Sequence, residues 1–149
     1  MNDVDILKKI EKKVLWLACW MIHNANHIRE NQDGLKVGGH QASSASIVSI
    51  MTALYFNILR PEDRVAVKPH ASPVFHAIQY LSGLQTKEKI ENFRGFGGAQ
   101  SYPSRTKDID DVDISTGSVG LGVAMTSFIS LIQDYISRKK FYNNRKLGR

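Results

Sequence analysis

At 149 residues, with 42% hydrophobic and 23% charged side chains, the chain fits one folded domain; it is too apolar for disorder and too short for two well-filled cores. No apolar run reaches about 18 residues and the acidic start Met1-Asn2-Asp3-Val4-Asp5 is no leader, so a soluble cytoplasmic protein is expected; the lone Cys19 excludes an internal disulfide. The net charge of +6 collects in residues 138–149, with six bases and no acid, leaving 14 bases against 14 acids elsewhere, so neither a general nucleic-acid surface nor a membrane surface is expected.

In chain order, Ile6, Ile10, Val14, Leu17 and Met21 recur every three or four residues and predict an amphipathic helix to about Arg29, capped by Asp3 or Asp5. Asn31-Gln32-Asp33-Gly34 and Val37-Gly38-Gly39-His40 break that period and predict a loop. Ser43, Ser44 and Ser46 are candidate caps for a second helix carrying Ile47, Val48, Ile50, Met51, Leu54, Tyr55 and Ile58. Val65-Ala66-Val67 is consistent with a short buried strand. Pro73 opens a helix with Val74, Phe75, Ala77, Ile78 and Leu81, and Gly83 stops it. A short helix from Thr86 to Phe93 leads into the glycine-containing loop 94–104. Val123 to Ile136 reads as a helix apolar nearly all round.

Several local patterns carry little chemistry by themselves. Cys19, His23 and His27 share one helix face, but the outer two are about 12 Å apart along the axis, too far for a single zinc ion with ligands at about 2.0–2.3 Å. Asp108, Asp110, Asp111 and Asp113 alternate like a calcium loop without its central glycine and late glutamate, and a solvated acidic loop is expected. Gly117-Ser118-Val119-Gly120-Leu121-Gly122 has the wrong order for a dinucleotide fingerprint and no phosphate-loop lysine. The cationic tail suits a helix C-terminus followed by a solvated segment.

Together and in order, Lys36-Val37-Gly38-Gly39-His40, Val67-Lys68-Pro69-His70-Ala71 and Ser115-Thr116-Gly117-Ser118-Val119-Gly120-Leu121-Gly122 resemble the early motifs of the transketolase superfamily, over roughly Leu35 to Tyr135. Within it the chain looks most like the homodimeric pyruvate dehydrogenase type. Gln41 follows Gly39-His40 where transketolases have proline, and Gln100-Ser101-Tyr102-Pro103 points the same way. The resemblance implies thiamine diphosphate as cofactor and a 2-oxo acid or a ketose phosphate as substrate. It implies His40 and His70 beside the diphosphate and the reacting carbon, as donors or proton-transfer groups, which suits imidazole near neutral pH. Tyr102 would face the substrate. Gly117, Ser118 and Val119 would bring backbone against the aminopyrimidine, an approach that glycine permits.

The family's magnesium-holding Gly-Asp-Gly or Gly-Asp-Ala segment has no counterpart after Gly122, so magnesium ligands are expected outside this chain, as is the glutamate that activates the pyrimidine. The resemblance therefore implies a truncated α/β thiamine diphosphate-binding fold, mostly helical with few short strands. Residues 1–137 would form part of the amino-terminal cofactor-binding domain and 138–149 a basic tail. A homodimer or complementary subunit is expected, and the apolar last helix should be exposed and favour self-association. The competing expectation is a non-catalytic or split-subunit interaction module completed by a partner chain.

Overall fold

In the computed structural model, which describes residues 3–30, 34–115, 117 and 119–140, helix α1 spans Asp3–His23. Asp3 and Asp5 lie in its first turn, where the helix dipole favours anions. The helix continues as a wider π-turn, Asn24–Ile28, and stops at Arg29, whose backbone is extended.

The second predicted helix forms as two pieces, α2 (Gln41–Ala45) and α3 (Val48–Ala53), and a second π-turn, Leu54–Ile58, extends α3. None of the three serines caps it. The N-cap of α2 is His40, without a side-chain hydrogen bond, and Ser46 turns its hydroxyl back to the Ser43 carbonyl at 2.9 Å.

Val65–Val67 is a correction to the expected strand. The segment is irregular, and no strand occurs among the described residues. Instead of a ladder, the Val65 N–H finds the Asp113 carboxylate at 3.0 Å, and Val67 alone is buried before a 3-10 turn, Pro69–Ala71, begins.

Helix α4 (Ser72–Leu81) starts with Pro73 in its first turn. It ends in a Schellman motif: Gly83 takes a φ of +76°, its N–H bonds the Tyr80 carbonyl at 3.1 Å, and the Leu84 N–H bonds that of Gln79 at 2.8 Å. Helix α5 (Lys87–Glu91) is capped by the Thr86 hydroxyl, which accepts from the Lys89 N–H. Helix α6 is Leu121–Arg138.

The core lies around α4. Val74, Phe75, Ala77 and Ile78 pack with Val14, Ala18 and Met21 of α1, Val48 and Met51 of α3, and Ile90, Phe93 and Ala99. Tyr55 meets Phe75 edge-on, with ring centroids 6.0 Å apart. This packing fixes the ends of α1, α2 and α4 around the cavity described next.

No helix among the described residues is long and apolar enough to cross a membrane.

Candidate functional site

A cavity of about 610 Å³ opens where the C-terminal end of α1, the start of α2 and the turn into α4 meet. The Gly38-Gly39-His40 turn forms one wall. Its shape is set by Asn26 in the π-turn after α1: the Asn26 Oδ1 accepts the Gly38 N–H at 2.7 Å and its Nδ2 donates to the Gly39 carbonyl at 3.0 Å. A side chain at Gly38 has no room, since its Cβ would lie 2.5 Å from the Ile22 carbonyl oxygen and 2.9 Å from Asn26 Oδ1. Gly39 takes a φ of +87°, the left-handed region that glycine enters without strain.

The opposite wall is Lys68-Pro69-His70, held to α2 where the Ser44 hydroxyl donates to the His70 carbonyl at 3.3 Å. Ser101, Tyr102 and Gly117 close a third side, and Val119 and the first turns of α6 close the fourth. A Cβ on Gly117 would lie 2.9 Å from the Tyr102 ring, so that residue must lack a side chain for the two segments to approach.

The structure thus brings His40, His70, Tyr102, Gly117 and Val119 to one hollow, although they are up to 79 positions apart in sequence. Ser118 lies outside the described residues. His40, His70 and Tyr102 are exposed toward solvent and the hollow.

Two lining cations have no role assigned from the sequence: Lys68, inside the motif Val67-Lys68-Pro69-His70-Ala71, and Arg94. Arg94 adopts a left-handed backbone with a φ of 61°, closed by its own N–H on the Ala99 carbonyl at 2.9 Å. Its guanidinium donates to the Val37 carbonyl at 2.7 Å and lies over the Phe93 ring at 5.2 Å. Burial pushes its pKa down from the ordinary value, partly offset by Tyr102, yet a guanidinium keeps its proton in proteins. No aspartate or glutamate is among the described lining residues, so the hollow is electropositive and suited to an anion. Asn26 was also missed, because a clamp reaching across 12 positions leaves no periodic trace.

The aspartates correct the expectation of a solvated acidic loop. Asp110 is buried against His76, Asp108 accepts the Gln100 and Ser104 N–H groups, and Asp113 accepts the Val65 N–H and pairs with Arg64 at 3.6 Å. Only Asp111 and the neighbouring Ile109 face outward. The acids organise the loop from within because each captures backbone or side-chain donors that would otherwise be orphaned. The His23 and His27 rings lie 5.1 Å apart and are exposed, and they belong to no group of three metal-ligating side chains among the described residues.

No protein-family model matches the chain. Curated relatives do. The chain is 30% identical over 132 residues to the pyruvate dehydrogenase E1 component of Mycobacterium tuberculosis, covering 81% of this chain and 14% of that protein. It is 30% identical over 149 residues to the pyruvate dehydrogenase E1 component of Pseudomonas aeruginosa, with 94% and 16% covered, and 27% identical over 130 residues to that of Escherichia coli K12, with 81% and 14% covered. The chain therefore spans about one-seventh of the relatives it resembles, and over that stretch it is similar to pyruvate dehydrogenase E1 components.

Proposed function

We propose that this chain is the amino-terminal part of a thiamine diphosphate-dependent enzyme of pyruvate dehydrogenase type acting on a 2-oxo acid. Residues 1–137 would be part of its cofactor-binding domain. The observation that carries this reading is the single cavity shared by His40, His70, Tyr102, Gly117 and Val119, lined by Lys68 and Arg94 and by no described carboxylate. Similarity to pyruvate dehydrogenase E1 components supports a 2-oxo acid rather than a ketose phosphate as substrate.

The residues present fit the cofactor. Its diphosphate matches Lys68 and the imidazole donors of His40 and His70, and the backbone of Gly117, which lines the same cavity, would lie against the aminopyrimidine. When bound, thiamine diphosphate supplies a nucleophilic thiazolium carbon and an electron sink for cleavage next to the 2-oxo carbonyl. This chain's part is to orient: the Asn26-held turn carries His40 and the Ser44-anchored turn carries His70, and their imidazoles would serve as donors to the diphosphate or as proton-transfer groups beside the reacting carbon. Tyr102 faces the substrate side. Magnesium does not fit these residues alone, because it needs a nearly octahedral oxygen set and the described lining residues offer no carboxylate; its ligands belong elsewhere, on a further segment or a partner subunit.

Titration calorimetry of the chain with thiamine diphosphate, thiamine and inorganic pyrophosphate, each with and without magnesium, tests the reading. Thiamine diphosphate should bind weakly, pyrophosphate should compete, and thiamine should not bind measurably. His70→Ala should weaken binding about tenfold, the equivalent of one charge-assisted hydrogen bond. Equal affinity for thiamine and thiamine diphosphate would refute the diphosphate assignment, and tight metal-independent binding would refute the claim that the metal ligands lie elsewhere. If nothing binds, the interaction-module alternative takes its place.

A further inference from the structure

Three side chains that the cofactor reading leaves unused converge beneath Tyr102. Asp108 grips both ends of the strap Gln100-Ser101-Tyr102-Pro103-Ser104 with one carboxylate: its Oδ1 accepts the Gln100 N–H at 2.9 Å and its Oδ2 accepts the Ser104 N–H at 2.8 Å. From below, His76 Nε2 lies 2.7 Å from the Gln100 carbonyl oxygen. A carbonyl can only accept, so that nitrogen carries hydrogen. The other ring nitrogen, Nδ1, is 2.6 Å from Asp110 Oδ2, which also accepts from Gln85 Nε2 at 2.9 Å. Wherever the shared proton sits, the imidazole is pinned at both nitrogens.

His76 is fully buried and Asp110 is 6% exposed, and the Phe75 and Phe93 rings stand edge-on to the imidazole. A buried histidine–carboxylate pair adds little net stability compared with apolar packing, and its use is to select one arrangement. Here that arrangement is the height and tilt of the strap. Pro103 is buried beside Tyr102, so the strap has two fixed ends and one anchored shoulder, leaving the tyrosine as its free apex against Gly117.

We propose that His76, Asp110 and Asp108 are positioning residues for Tyr102, holding its ring at the cavity wall. What Tyr102 faces there rests on the proposed function; the positioning itself does not. A metal ion is the competing occupant of this cluster, whose ligand atoms lie within 4.8 Å of one another. The geometry favours hydrogen bonding: 2.6 Å between Nδ1 and Oδ2 is shorter than the roughly 3 Å or more that separates two atoms each about 2.1 Å from one metal.

The test labels the chain with 3-fluorotyrosine and reads fluorine NMR, with Tyr102→Phe identifying the Tyr102 signal. His76→Phe keeps the ring packing and removes both hydrogen bonds; it should shift and broaden the Tyr102 signal while Tyr135 on α6 stays in place. His76→Gln, whose amide again donates to the Gln100 carbonyl, should restore the signal. Thiamine diphosphate affinity should fall at least fivefold in His76→Phe and recover in His76→Gln. Should His76→Phe fail to fold, Asp108→Ala cuts the clamp from the solvent side and should give the same displacement. A Tyr102 signal unmoved in the folded variant overturns the proposal. So does a rise in melting temperature on adding zinc or manganese that a chelator reverses. If wild-type chain binds no thiamine diphosphate but the Tyr102 signal follows the variants, the function proposal fails and the positioning proposal stands.

Discussion

In α4, eight of ten residues are buried, including the polar Ser72, His76 and Gln79. In α6, just as rich in leucine, isoleucine, valine and phenylalanine, none is buried. Its Gly122, Met125, Thr126, Ile129 and Ile136, which share one helical face, are partly covered, while Val123, Phe128, Leu131, Ile132 and Tyr135 stay 56–73% exposed. An apolar helix announces that it wants neighbours, and only the tertiary structure says whether the described chain supplies them. For α4 the chain does, through α1, α3, α5 and the buried Asp110. For α6 a single face is met, and the rest forms an apolar surface of the kind that other protein segments cover.

Truncating matched rings should break this comparison most sharply. Phe75→Ala in α4 should cost about 3–5 kcal/mol, the cavity penalty of a buried aromatic, whereas Phe128→Ala in α6 should stay within about 0.5 kcal/mol; urea unfolding followed by circular dichroism measures both. Next in size, Gly38→Ala forces a Cβ against the Ile22 carbonyl and Asn26, with an overpacking cost of about 1–3 kcal/mol read by the same urea unfolding, and weaker thiamine diphosphate binding by calorimetry.

Tyr55 sharpens the α4 side. Burial, reinforced by Asp113, Asp110 and Asp111, pushes its phenol well above the ordinary value of 10.0. The folded state therefore keeps a proton that the unfolded chain releases above about pH 10, so stability is complete below that pH and falls above it by up to about 1.4 kcal/mol per pH unit. Tyr55→Phe should flatten that alkaline decline in melting curves recorded from pH 9 to 11. Smallest in stability is the pair Phe128→Glu and Ile132→Glu, which should leave unfolding unchanged yet shift sedimentation toward monomer if α6 drives self-association; an unchanged sedimentation profile would show that this face is not self-complementary.

Local chemistry was legible in the sequence where one element contains its own signal. Pro73 and Gly83 bracket α4, and the three-and-four spacing from Ile6 to Met21 marks α1. The motif residues His40, His70 and Gly117 were legible as a set, and the cavity they share supplies the geometry. Illegible were the pairings that cross the chain. Asp110 looks the same in sequence whether solvated or facing His76 34 positions away. Val65–Val67 has strand-forming residues but no neighbouring strand among the described residues, so its first N–H turns to Asp113. The serines before α3 offered caps, but the buried Ser44 spends its hydroxyl on the His70 carbonyl, a use visible only once the two turns are adjacent.

The Asn26 amide has one more consequence. It is a planar group that accepts from the Gly38 N–H and donates to the Gly39 carbonyl, so both ends of the Gly38-Gly39 turn are tied to the π-turn that continues α1. A second tie, from the Gln41 amide to the Cys19 carbonyl at 3.1 Å, fastens the other side of His40 to α1, so the backbone on both flanks of that imidazole takes its position from one helix and its continuation.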